Sequence, residues 1–392
     1  RGFGPYGAVN HIFGSTAKIS YFYWRRYEFT RDREWLRTRA YPMLKGAVEF
    51  YRNYPNLKKG ADGKYHIHQV NSNESVYGAR DTDEDISSMR GVTAALLRAS
   101  EILNANAAMR PVWREFLDNL APIPTSDDPE ALKPANYSGP RVFVRGLKPA
   151  VKEGGFLPDS NSMPMWLFDF CNVEARDRQV LETARNTFSA SLRNGLTPKT
   201  SVSVLSKLAM AAAALGRADA VRILVPNQIR ARAPERGTAY KGGGVLDNRM
   251  TLREGPQALD AERLGRASEA LHLALLQSSA PAPGEDPIIH VFPAWPKEWN
   301  AQYTLAARGA FLVSSSMQGG RIEFVALESQ AGAECRLRNP WGESGIDLYR
   351  DGKKAETLSG SLPRFATHKG ERVVALPAGI APNQYKRSVP AG

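Results

Sequence analysis

Three groups of carboxylates sit where a carboxyl group could do chemistry and not merely solvate a surface. Glu74 lies in the polar run HIHQVNSNES (residues 66–75), among His68, Gln69, Asn71 and Asn73, side chains able to hydrogen-bond sugar hydroxyls. Asp260 and Glu262 stand at the start of a long apolar helical stripe, where the helix dipole also favours a negative charge. Asp81, Asp83 and Asp85 spell D-x-D-x-D, which begins like a calcium loop. The glycine such a loop needs at its sixth position is Ile86, however, and the glutamate at its twelfth is Val92. No metal is expected there. Asp85 is expected to cap a helix, with Asp81 or Asp83 near the Glu74 loop. Two carboxylates brought from separate parts of a chain into one cleft can work as an acid–base pair in bond cleavage. One protonates the leaving oxygen, and the other serves as base or nucleophile.

Other chemistries find less support. There is no GxGxxG, GKS/T, GxSxG or HExxH, so nucleotide enzymes, α/β-hydrolases and zincins recede. The glycine run Lys241-Gly242-Gly243-Gly244 lacks the strand-to-helix context of a phosphate cradle. Two cysteines, Cys171 and Cys335, suggest neither a zinc site nor a disulfide framework. No cofactor is expected. The net charge of +12 admits a polyanionic partner, but the basic residues are scattered and the densest spots are pairs, Arg25-Arg26 and Lys58-Lys59. They read as a solvated surface, with no nucleic-acid motif. No apolar run approaches the roughly 18 residues that a membrane span needs.

The elements that must position these groups fall into two textures. The first 280 residues or so read as helices joined by long loops. Ala40, Met43, Leu44, Ala47, Val48 and Tyr51 keep helical spacing, with Pro42 breaking or kinking the run. Further stripes contain Met89 to Leu103, Trp113 to Leu120, Leu181 to Leu192 (ending at Gly195), Leu205 to Leu215 (ending at Gly216), Ala218 to Arg230 and Leu259 to Ser279. His272 reads as packed in the last of them. From about Pro287 short β-prone runs are punctuated by Gln-Gly-Gly, Asp-Gly and Ala-Gly turns. Helices first and strands second means segregated elements, not βαβ units. The expected class is therefore mainly α, then β, with a helical domain over residues 1–286 and an antiparallel β-sandwich over 287–392.

Several stretches resemble a known family. YFYWRRYEFTRDREWLRTRAYPMLKGAVEFY (Tyr21 to Tyr51) is similar to the barrel segment of glycoside hydrolase family 95, the 1,2-α-L-fucosidases, with its "YPLLKGAAEFY"-like helix. HIHQVNSNES sits where that family has its "PSTSPEN"-like acid loop. ALLQS, IIHVFPAWPKEW, LAARGAFLV and CRLRNPW, between Glu262 and Trp341, resemble its "LLQSH…IHLLPALP" passage and β tail. The resemblance implies a partial (α/α)6 toroid followed by the β-sandwich. Because the family's toroid begins further upstream, after a β-sandwich, this chain is expected to lack an N-terminal part.

The resemblance also implies roles. It places the general acid on Glu74. The base, an Asp in the family's "IDGNFG" element, falls on Glu262 by ungapped counting from Leu275-Leu276-Gln277, or on Asp260 with a two-residue slip. Substrate contacts would come from His68, Asn71, Asn73, Asp83, Asn161 and Trp166. The histidines of the family's substrate loop are missing around Asn161, so the contacts with L-fucose would differ. Trp295 and Trp299 read as core. The implied enzyme is an inverting exo-glycosidase acting on terminal L-fucose or an L-galactose-type sugar of an oligo- or polysaccharide, secreted or periplasmic. Alternatives are a polysaccharide lyase on acidic glycans and a non-catalytic glycan-binding relative.

Overall fold

The computed structural model describes residues 12–72, 76–133, 136–148, 163–202, 206–230, 251–252, 259–260 and 262–385. The first helix, α1 (Gly14–Thr30), buries Ala17, Tyr21, Trp24 and Tyr27, a stripe at helical spacing. The Pro42 break takes the form of a widened turn over Leu36–Ala40, where the Tyr41 N–H donates to Leu36 O. A wide turn relieves the clash that the proline ring would make with a carbonyl four residues back. The chain then continues directly into α2 (Tyr41–Arg52).

Between α2 and the next helix run two strand pairs absent from the sequence reading. β1 (Leu57–Lys59) pairs with β2 (Tyr65–Ile67), and β3 (Val70–Ser72) with β4 (Val76–Ala79). Helix α3 (Asp83–Leu103) is the central element of the first half, packed by α1, α2 and α4 (Arg110–Asp118). Its N-cap is Thr82 and not Asp85. The Thr82 hydroxyl accepts the Asp85 N–H at 3.1 Å and donates to the Asp85 carboxylate at 2.6 Å, so Thr82 caps the helix and Asp85 holds the capping hydroxyl. Together these helices enclose one apolar core, with Leu44, Val48, Met89, Leu96 and Trp113 fully buried.

A short pair, β5 (Thr125–Ser126) with β6 (Val142–Phe143), leads to a second core built by α5 (Arg178–Ser191), α6 (Leu208–Ala214), α7 (Ala218–Arg230) and a later helix, α8 (Glu262–Leu275). Helix α5 stops at Ser191, short of Gly195. Helix α6 ends as its sequence suggests. Gly216, at φ +75, donates to Ala213 O while Arg217 donates to Ala212 O, a Schellman closure. Before α8, the pair β7 (Thr251–Leu252) and β8 (Leu259–Asp260) brings Asp260 opposite Thr251. Helix α8 does not run to Ser279. Residues Leu276–Ser279 form β9, paired with β10 (Ile288–Val291) in the register Gln277↔His290.

The last third is an antiparallel sheet of six strands in the order β11-β12-β13-β18-β15-β16. These span Ala301–Ala307, Phe311–Gln318, Arg321–Ser329, Arg372–Pro377, Ile346–Arg350 and Lys353–Leu358. The expected Asp-Gly turn joins β15 to β16, with Asp351 and Gly352 both at positive φ, as a two-residue hairpin demands. The inner face (Val313, Val325, Leu348 and Ala375) packs in one core with Cys335, Leu337 and Phe365 around the small pair β14 (Cys335–Arg336) and β17 (Arg364–Phe365). The order is thus a partial (α/α)6 toroid followed by a two-layer antiparallel β region, one layer much larger than the other.

Trp295 packs against both the second helical core and the sheet core, and its Nε1 donates to Trp299 O at 2.8 Å. A second tie is ionic. The buried Glu174 carboxylate accepts from His290 Nδ1 at 3.0 Å and from Arg338 Nε at 3.0 Å, with a further close contact to Arg338 Nη2.

Candidate active site

A cavity of about 510 Å³ opens between α1, the segment 166–172, α6 and α8. Helix α8 presents Gly265, Arg266, Glu269, His272 and Leu273 to it, the successive turns of one helical face. His272 is therefore not simply packed; it lines this cavity. The opposite wall carries Trp166, with the Lys207 ammonium 4.1 Å from its ring centroid, a cation–π contact. Phe22 and Phe29 of α1 add apolar surface.

The floor is a buried charge network that the sequence reading did not find. Arg308 leaves the turn between β11 and β12 and enters the helical part. Its Nη1 donates to Asp169 Oδ1 at 2.8 Å, and its Nη2 donates to Asp169 Oδ2 at 2.9 Å and Glu28 Oε1 at 2.7 Å. Arg25 donates to Asp169 Oδ1 at 3.3 Å, and the Tyr21 hydroxyl to Asp169 Oδ2 at 3.1 Å. Burial would raise the Asp169 pKa, but the Arg25 and Arg308 charges outweigh it and hold the carboxyl below its usual range. Burial pushes the Tyr21 hydroxyl well above its ordinary value. Asp169 is thus ionised with both oxygens engaged, which makes it an anchor and unsuited to donating a proton.

Anchoring is needed here because Phe168 and Asp169 stand at φ +66 and +61. Left-handed backbone at two consecutive non-glycine residues, one of them bulky, is strained and persists only where surroundings over-determine it. The signal for this network was the Arg-Gly-Ala-Phe motif, legible as a resemblance but not as a salt bridge.

The structure divides the sequence-predicted site residues. Trp166 lines the large cavity. His68 lines a separate hollow of about 320 Å³ with Asn56, Lys58, Gln69 and Arg80. Asn71 is buried and accepts the Gly78 N–H at 2.8 Å, steadying the β3–β4 pair. Asp83 is buried in the first turn of α3, where Ser72 Oγ lies 3.4 Å from its carboxylate. Asp81 is also buried, holding His66 Nδ1 at 2.6 Å and the Ile67 N–H at 2.9 Å. Glu74, Asn73 and Asn161 lie outside the described residues, as do the side chains of Asp260 and Glu262.

Residues 8–131 match the sequence model of the glycosyl hydrolase family 95 catalytic domain. That stretch takes in α1 to α4 and the 66–75 loop. A similar solved structure is the α-L-rhamnosidase of Streptomyces avermitilis complexed with L-rhamnose. The likeness has a TM-score of 0.44 at 12% identity and covers 90% of this chain and 32% of that one, so the chain spans about a third of its length. No curated protein matches the chain.

Proposed function

We propose that the chain belongs to a glycoside hydrolase that cleaves a glycosidic bond of an oligo- or polysaccharide, with the 510 Å³ cavity as the sugar site. The observation that carries this reading is the catalytic-domain match over residues 8–131. Its bounds enclose the Tyr21–Tyr51 stretch, which resembles the same family, and the polar 66–75 loop. The cavity supports it with an aromatic wall at Trp166 and with Arg266, Glu269 and His272 on the α8 face.

In the finer reading the enzyme is α-L-fucosidase-like, exo-acting and inverting, on terminal L-fucose or an L-galactose-type sugar. Glu74 is the acid, Glu262 or Asp260 the base, and the location secreted or periplasmic. Incubating the natural full-length protein with aryl α-L-fucosides and fucosylated oligosaccharides, and following the product anomer by NMR, tests it. Glu74→Gln is expected to lower kcat by about 10²–10⁴ on oligosaccharides, and one of Glu262→Gln and Asp260→Asn to do likewise. Full activity of Glu74→Gln removes the acid. Release of an ultraviolet-absorbing unsaturated uronide would replace the hydrolase by a lyase.

A further inference from the structure

Where α1 ends beside the sheet, two hollows of about 360 and 380 Å³ adjoin, sharing Asp286 and Arg336 in their walls. Among the described residues every cation in both walls is an arginine: Arg31, Arg33 and Arg308 in the first, Arg98 and Arg114 in the second, Arg336 in both. Arg308 is committed to Asp169 and Glu28. Of the other five, Arg31, Arg98 and Arg114 approach a carboxylate and two do not. Arg33 donates to Ile102 O at 2.7 Å and Arg336 to Asp286 O at 2.8 Å, both neutral carbonyls. Arg31 Nη2 stays 3.8 Å from the Asp286 carboxylate, and neither Arg31 Nε nor Arg336 Nε has a hydrogen-bond partner.

The acids here are few. Asp286 accepts from Arg98 at 3.3 Å, and Glu101 lies 3.7 and 3.8 Å from Arg98 and Arg114. Glu334 is exposed at the rim, and Glu285 is taken by Arg176 at 2.6 Å. Five guanidinium groups thus face three carboxylates; Arg31, Arg98 and Arg114 share Asp286 and Glu101, Arg33 and Arg336 bind only carbonyls, and the groove keeps a positive excess. Guanidinium forks match the paired oxygens of a sulfate or carboxylate, which a set of lysines would not do with the same geometry.

We infer that this groove is an oxyanion-binding site for a sulfate- or uronate-bearing segment of an acidic glycan. It is separate from the 510 Å³ cavity, and Arg308 forms part of the wall of both. That the ligand is a glycan rests on the glycoside hydrolase reading; that it is an oxyanion does not. The groove holds an acidic polymer outside the cavity and raises its local concentration at the enzyme.

Isothermal titration with a heparin-derived oligosaccharide, an oligogalacturonate, a neutral oligosaccharide and a DNA oligonucleotide tests the assignment. At least one acidic glycan is expected to bind, and the neutral sugar not to. Arg33→Gln with Arg98→Gln is expected to weaken that binding at least ten-fold and to flatten its salt dependence by about one to two log units per log unit. Arg178→Gln with Arg185→Gln, removing equal charge from the exposed face of α5, should leave Kd within two-fold. Should the first pair unfold by circular dichroism, Arg33→Lys with Arg98→Lys keeps the charge but loses the forks, and a clear loss of affinity is expected. The inference is overturned if neither acidic glycan binds, if the α5 pair weakens binding equally, if DNA binds as tightly, or if the folded test pair binds as the parent does. Glycosidase assays separate the two readings. Hydrolysis without groove binding sinks the groove alone, and groove binding without hydrolysis of any glycoside sinks the enzyme alone.

Discussion

Arg308 grips Asp169 with two guanidinium nitrogens, at 2.8 and 2.9 Å, across 139 residues of sequence. The sheet is therefore fastened to the helices by a buried ion cluster as well as by apolar packing. Such a cluster is costly to break from one side, because the partner left behind is a buried charge. Arg308→Met leaves Asp169 with Arg25 and Tyr21 and Glu28 with Arg25 at 3.7 Å, and is expected to lower the unfolding free energy by about 3 kcal/mol. Asp169→Asn keeps the shape and is expected to cost less than Arg308→Met. Urea unfolding followed by tryptophan fluorescence reads both. A midpoint unchanged in Arg308→Met would mean that the cluster contributes nothing.

The same segment depends on a close approach to α3. A Cβ built on Gly91 would come 2.3 Å from Phe168 Cδ1, in a buried ring that cannot swing away. Phe168 immediately precedes Asp169, so any shift is passed to the network. Gly91→Ala gains helix propensity worth about 1 kcal/mol and is nevertheless expected to destabilise, by about 1–3 kcal/mol, through overpacking. If the variant melts higher than the parent, the contact is softer than the geometry requires.

Much of the helical half was legible because apolar periodicity is a local signal. The helix expected over roughly Ala218 to Arg230 is present over those described residues, and Gly216 marks the end of the helix before it. Two kinds of feature were not. Strand pairs of three or four residues, such as Leu57–Lys59 with Tyr65–Ile67, are too short for alternation to show. The end of α8 was decided by tertiary pairing, since Leu276–Ser279 continues the helical stripe but finds Ile288–Val291 across from it. In the site, Trp166 could be picked as an aromatic after a turn. Arg25, Asp169 and Arg308 are distant in sequence, and only the fold says that their charges meet.

Asp85 offers a pH test. Burial raises its pKa from 3.8 to about 7, with the Glu84 charge adding to the rise and hydrogen bonds from Thr82 and Tyr51 opposing it. The folded state then binds a proton that the unfolded state has lost, so the contribution of Asp85 to stability is most favourable below about pH 4 and falls as pH rises toward 7. Asp85→Asn stays neutral throughout and keeps an oxygen for the Tyr51 and Thr82 hydroxyls. Its stability is expected to vary less than the parent's between about pH 4 and 7. Parallel pH profiles from denaturant titrations would show that Asp85 ionises normally.

Two further groups pull in opposite directions. His66 has a carboxylate at each ring nitrogen, Asp81 at 2.6 Å and Asp62 at 3.1 Å, and only the imidazolium can donate from both. Burial would lower its pKa, but hydrogen bonds to Asp81 and Asp62 raise it above 6.5. Its stabilisation is complete below the unfolded pKa and is lost as pH rises through the raised folded value. Glu174 is the reverse. Burial alone would raise it, and His290 and Arg338 bring it from 4.5 down to about 2, so its stabilisation is present above 4.5 and is lost as pH falls toward 2. Thermal melts across the pH range should therefore show His66→Gln flattening the alkaline decline and Glu174→Gln the acid one. If both variants keep the parent's limbs and merely shift the curve downward, neither carboxylate pairing governs the response to pH.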